Sequence, residues 1–264
     1  MTTSEGTSNQ ADSLEDIVSG LREEFINETN DALEELLLLL EQTRSQQHPS
    51  GDFINEARKF AHLLVGQGAN VGLRLISTVA HRFKVYLDAC EPLTERGIKD
   101  IEQYVDTLSD IIQGKIPRET DPSTLVRALP PKASFEVNEV EIRSTEVLLV
   151  MLDGTATKFV EREMQQCGYR VSNVASPFDA LSIVIQTKPD LVIISAVLPD
   201  LSGIDFAIAL SSMPETRNMP IALITSFPRD HESLQFLPDN VPVIQKGPSF
   251  GDDLVEALNN AFLL

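Results

Sequence analysis

Of the four histidines, His62 has neighbours that suggest chemistry. It sits in ARKFAHLLVGQGANVG, midway along a predicted helix. Gly66 follows at i+4, on the same face one turn on. A mid-helix Gly costs about 1 kcal/mol relative to Ala, so something should offset it. A bare Gly66 would leave the imidazole uncrowded and let a partner dock over it. A neutral imidazole is a nucleophile and a proton acceptor. Lys59, three residues earlier, could add positive charge on that face, and Gln67 a hydrogen bond. His48 and His231 lie in polar loops and His81 lies beside Arg82. None of these three has a second ligand or a nucleophile at useful spacing, so they read as ordinary surface or half-buried histidines.

A second set of polar residues falls just after apolar runs in the C-terminal half. Asp153 follows Met151 and Leu152. Ser195 ends DLVIIS, Thr225 with Ser226 ends IALIT, and Lys246 with Gly247 follows VIQ. Ligands of a parallel α/β sheet bind at the carboxyl ends of its strands, so these positions decide what such a sheet can do.

The elements that must position these residues divide at the middle of the chain. Residues 1–12 are polar and read as a disordered tail. Ser13 then reads as a helix cap, followed by apolar residues at helical spacing from Leu14 to Leu40. Further helices are predicted at about 53–67, 72–89 and 92–113, with Gly114 ending the last. Residues 13–114 therefore read as an all-α helical bundle. Four prolines (117, 122, 130 and 131) mark 115–143 as a linker. From 144 to 264, five short apolar runs alternate with helical patterns. They begin near Val147, Tyr169, Asp190, Pro220 and Val241. This half reads as an α/β domain with a doubly wound parallel five-stranded sheet.

Charge removes several function classes. The net charge is −19; residues 1–143 carry 25 acids and 14 bases (−11) and the rest 15 and 7 (−8). Both halves would be repelled by nucleic-acid phosphates and by anionic membrane surfaces. The longest leucine run, Leu36 to Leu40, is far below the ~20 residues that span a bilayer. The N-terminus has no apolar segment of a secretory signal, so the cytoplasm is the expected location. Cys90 and Cys167 have no zinc-ligand spacing and are expected to be buried free thiols. No nucleotide-binding glycine loop and no GxSxG elbow is present.

Two resemblances sharpen this picture. His62, Leu64, Gly66, Gly68, Ala69 and Gly72 resemble the histidine phosphotransfer (HPt) motif. That resemblance implies His62 as phosphoacceptor, with response-regulator receiver domains and an upstream sensor kinase as partners. Val65 departs from it, standing where the family has Lys. Two unit charges at ~4 Å interact by ~1 to 4 kcal/mol between water and a protein surface. Losing about 1.4 kcal/mol of transition-state stabilisation would slow transfer about tenfold. The C-terminal half resembles a receiver domain over about residues 145–264, through VLLVMLDG, KPDLVIISAVLPDLSG, IALITS and VIQKGPS. A working receiver holds Mg²⁺ on acidic residues after its first strand and phosphorylates an Asp after its third. Here those places hold Met151, Leu152 and Ser195, with Asp153 one residue late. The expectation is a pseudo-receiver with no metal and no bound cofactor, any Mg²⁺ being supplied by a partner receiver. Two functions follow. One is a phosphorelay intermediate acting through His62. The other is a non-catalytic adaptor that keeps only docking surfaces.

Overall fold

The computed structural model describes residues 5–88, 90, 92–131 and 144–262, with side chains described from Val18 onward. The chain forms two compact units, Met1–Pro130 and Pro131–Leu264. The first is a helical bundle and the second a five-stranded parallel sheet flanked by helices.

The bundle contains α1 (Glu5–Arg44), α2 (Ser50–Asn70), α3 (Arg74–Leu87), α4 (Glu95–Ile112) and the short α5 (Pro122–Ala128). In α1 the residues Phe25, Thr29, Leu33, Leu36 and Leu40 are buried, a stripe at helical spacing. Helix α2 faces the core through Phe53, Ile54, Ala57, Ala61, Leu64 and Gly68. Its small residues let α3 come close: a Cβ on Gly68 would stand 2.8 Å from Ser77 Oγ. The turn between α2 and α3 uses Gly72 at φ +77°, a conformation that favours glycine. At the centre of the bundle Tyr104 stacks on Phe83 and meets Tyr86 at a tilt.

Two sequence expectations need correction here. Helix α1 starts at Glu5, so residues 5–12 are helical rather than a tail and Ser13 is not a cap; residues 1–4 lie outside the described residues. The stretch 115–130 is not linker. Asp121 caps α5 through the backbone N–H of Ser123, and Pro122 supplies the fixed φ of a first helical position. Val126 and Leu129 are buried, and Tyr104 donates a hydrogen bond to the carbonyl of Pro130 at 2.6 Å. The rest of the expected linker, 132–143, lies outside the described residues.

The second unit contains β1 (Glu146–Val150), α6 (Thr155–Gln166), β2 (Arg170–Val174), α7 (Pro177–Thr187), β3 (Leu191–Ser195), α8 (Gly203–Ser212), β4 (Ile221–Thr225), β5 (Val243–Gln245) and α9 (Phe250–Phe262). All pairings are parallel, in the order β2-β1-β3-β4-β5. This is the flavodoxin-like doubly wound order. Alternate residues feed two cores, as a period of two requires. Val147 and Leu149 pack with Val160 and Met164 of α6 and Leu254 and Leu258 of α9. Leu148 and Val150 pack on the other face with Ala180 and Val184 of α7 and Ile204 and Leu210 of α8.

The alternation of strands and helices breaks once. Between β4 and β5 stands a five-residue 3₁₀ turn, Glu232–Phe236, in place of an α-helix. Pro228 and Pro238 bracket this stretch. Cys90 is buried as expected, but Cys167 is exposed at the end of α6, beyond the helix's buried face. No helix among the described residues is long and apolar enough to cross a membrane.

Candidate functional site

Helix α2 turns its core residues one way and leaves Lys59, His62, Leu63 and Gly66 exposed on the other side. His62 is therefore open to solvent. Gly66 has open space around it: a Cβ there would meet nothing within 4 Å. Gly68, two residues on, has a packing reason to be glycine; Gly66 has none within the fold.

The supporting residues are less well disposed. Lys59 Nζ sits 2.7 Å from Glu56 Oε1, one turn back along α2, so its charge is engaged away from His62. Gln67 is exposed, but a spacing of five residues puts it about 140° around the helix from His62. Val65 is half-buried and packs against the core. A side chain at that position is drawn inward by its apolar character, where a Lys would reach for solvent.

Elsewhere in the bundle, His81 is half-buried, and its pKa drops to about 4. Burial is the main cause, followed by the neighbouring charges of Lys84 and Arg82. Burial raises the Cys90 thiol and the Tyr86 phenol, whose hydroxyl donates to Asp100 Oδ2 at 2.8 Å. None of these groups lies on the exposed face of α2.

In the second unit the strand ends gather Met151, Ser195, Thr225 and Lys246 along one edge, as parallel pairing demands. Met151 is only 2% exposed and belongs to the α6–α9 core. Leu152 points outward instead. Asp153 lies on the exposed loop and accepts a hydrogen bond from Asn173 Nδ2 at 3.0 Å. The Ser195 hydroxyl donates to the carbonyl of Val197 at 3.2 Å, and Thr225 Oγ1 accepts from Phe227 N at 2.9 Å. Lys246 is exposed, and its backbone N–H continues the β4–β5 ladder to the carbonyl of Thr225. Among the described residues no group of three or more His, Cys, Asp or Glu is placed to hold a metal ion.

Gly203 is fixed by close approach. Its N–H donates to the carbonyl of Ala196, and a Cβ there would lie 1.8 Å from the carbonyl oxygen of Ser195.

Sequence reasoning missed a hub at the end of β5. Asp253, buried in the first turn of α9, accepts from Gln245 N at 2.8 Å, Arg229 at 2.7 Å and Ser249 Oγ at 3.3 Å. Gln245 Nε2 in turn donates to the carbonyl of Phe227. The carboxylate covers an outward N–H of the edge strand, which otherwise invites another strand. In the sequence Asp253 looks like any acid in a helix's first turn; only the fold of the β4–β5 loop reveals its role.

Comparison with solved structures finds receiver domains. One is the receiver domain of a sensor histidine kinase from Pseudomonas aeruginosa PAO1, with magnesium in its active-site cleft. It shares 21% identity, covering 44% of this chain and 97% of that one, at a TM-score of 0.40. Another is a chemotaxis response regulator of Vibrio cholerae, at 20% identity, 45% and 98% coverage and TM-score 0.39. A third is the receiver domain of a histidine kinase from Syntrophus aciditrophicus, at 26% identity, 46% and 89% coverage and TM-score 0.37. No protein-family model and no curated protein matches the chain.

Proposed function

We propose that this chain is a phosphorelay protein in which His62 accepts a phosphoryl group from the phospho-aspartate of a separate receiver and passes it on or returns it. The observation that carries this reading is an exposed His62 with unobstructed space over Gly66 one turn on. The unprotonated ring nitrogen of His62 attacks phosphorus, forming the N–P bond. The acyl P–O bond breaks, and the partner's aspartate leaves as a carboxylate. The proton on the other ring nitrogen is free to pass to water, because the ring is exposed. The partner receiver supplies Mg²⁺ and the carboxylates that hold it, which neutralise charge on the transferring group. This chain contributes the nucleophile and an uncrowded approach, and an upstream sensor kinase feeds the relay.

The C-terminal unit acts in this reading as a pseudo-receiver that docks or regulates. Met151 and Leu152 offer Mg²⁺ no oxygen ligand, and Ser195 lacks the charge of an acceptor carboxylate. The hydroxyls of Ser195 and Thr225 already have partners within the unit.

A second reading, an adaptor that binds receivers without chemistry, is favoured by two observations. Val65 packs inward, and Lys59 is paired with Glu56. The two readings part on one experiment. The purified chain and His62→Gln are offered pre-phosphorylated receivers. Acid-labile label on the wild type alone supports the relay; receiver binding without label supports the adaptor.

A further inference from the structure

The strand-end edge that would carry acidic residues in a metal-dependent receiver is apolar here. Leu152, just past β1, is 50% exposed, and Val197, just past β3, is 62% exposed. These two strands are neighbours, with Val150 paired to Ile194, so both residues emerge at the same end of adjacent strands. Phe178, in the first turn of α7 after β2, is 62% exposed, and β2 is β1's other neighbour, with Val150 paired to Val174. Three large apolar side chains therefore follow three adjacent strands at the one end where ligands of such sheets bind. Single exposed apolar residues are ordinary, but a row of them at a ligand-binding edge calls for an occupant.

Charge selects among the occupants. An exposed acid accompanies each apolar residue: Asp153 beside Leu152, Asp179 beside Phe178, and Asp200 three residues after Val197. Of the exposed cations, Arg162 stands further along α6 and Lys188 beyond the far end of α7, leaving Lys158 in the first turns of α6 and Lys246 past β5, and β4 separates Lys246 from the row. A second copy of this face would bring acids against acids. The chain's own segment 132–143 carries three acids (136, 139 and 141) against Lys132 and Arg143, so it gains nothing from an acidic rim. An apolar partner flanked by Lys or Arg gains on both counts.

We propose that this edge is a docking site for a cationic amphipathic segment of another protein, seated on Leu152, Val197 and Phe178 and flanked by the three aspartates. The proposal rests on the reading of this unit as a docking domain and is independent of His62. Apolar contact would supply affinity, and the acidic rim would set orientation and encounter rate.

The test uses the full chain and three labelled 18-residue peptides: an amphipathic Leu/Lys helix, its Leu/Glu counterpart and a Lys/Ser peptide of equal charge. The Leu/Lys peptide is expected to bind the wild type at least tenfold more tightly than it binds a Leu152→Ser, Val197→Ser double variant. Methyl resonances of Leu152 and Val197 should shift on titration. Melting curves of the double variant should match the wild type, because both side chains are exposed. Equal binding by wild type and variant, or by the Lys/Ser peptide, would overturn the apolar site and leave bulk charge attraction. Equal binding of the Leu/Glu peptide would overturn the role of the acidic rim, and no binding at all would overturn the proposal. His62→Gln should bind the Leu/Lys peptide as the wild type does, so failure here and failure of phosphotransfer are separable.

Discussion

Replacing Gly66 with Ala sets two consequences of the same residue against each other. A glycine inside a helix is less favourable than alanine by about 0.8–1 kcal/mol. Gly66 has no positive φ to accommodate, and a Cβ there would touch nothing. Gly66→Ala should therefore stabilise the bundle by nearly that full amount. For a unit of this size the gain corresponds to a rise in melting temperature of about 3–6 °C. If Gly66 is bare so that a partner can approach His62, the same methyl group should slow phosphoryl transfer while leaving His62 exposed. A loss of about 1.4 kcal/mol in the transition state would appear as a tenfold lower rate. The assay pairs thermal melting with single-turnover transfer from a phosphorylated receiver. Gly68→Ala is the control, because its new Cβ would stand 2.8 Å from Ser77 Oγ and 3.3 Å from the carbonyl of Leu73. It should destabilise by about 1–3 kcal/mol. A destabilised Gly66→Ala would show that the fold itself needs this glycine. A stabilised variant with unchanged transfer would refute the access argument.

Other outcomes follow from the same geometry. Gly203→Ala would force a methyl group against the backbone carbonyl of Ser195, which has no freedom to yield, and should destabilise the second unit by about 3 kcal/mol or more in chemical denaturation. His81, with its pKa lowered to about 4 in the fold, is neutral where the unfolded chain, near 6.5, takes up a proton. Stability is then complete above about pH 6.5 and is lost progressively as pH falls toward 4. The loss should be about 1–3 kcal/mol for this half-buried ring, and His81→Gln should flatten that slope in denaturant titrations. Mg²⁺ with beryllium fluoride, a mimic of an acyl phosphate, should leave the melting of the second unit unchanged; a working site filled at 100 times its Kd would add about 2.7 kcal/mol.

The sheet was legible in the sequence because each of β1, β3 and β4 is a five-residue run buried on both faces. Such runs are continuous apolar words bounded by polar ones. One cap was legible too, unlike that expected at Ser13: Ser176 before Pro177 opens α7, its hydroxyl accepting from Asp179 N. Helix α5 was hidden because its prolines read equally as linker, and only the buried Leu129 and the Tyr104 contact show that it belongs to the bundle. The start of α1 was hidden because residues 5–12 carry no apolar stripe. At the candidate site, the exposure of His62 followed from α2's periodicity, since its core residues leave that side free. The pairing of Lys59 with Glu56 depends on rotamers, and the spacing of Lys59 to His62 is silent about it. Asp253 was invisible for a similar reason, because its three donors come from a strand edge, a loop and its own helix start.

The role proposed for His62 is that of nucleophile in a phosphorelay. Its most direct test is phosphoryl transfer from a panel of pre-phosphorylated receivers to the full chain, beside His62→Gln. Acid-labile label is expected on the wild type, none on the variant, and the same melting curve for both. Label that survives the substitution would place the acceptor elsewhere. No label from any receiver that still binds would make this chain an adaptor.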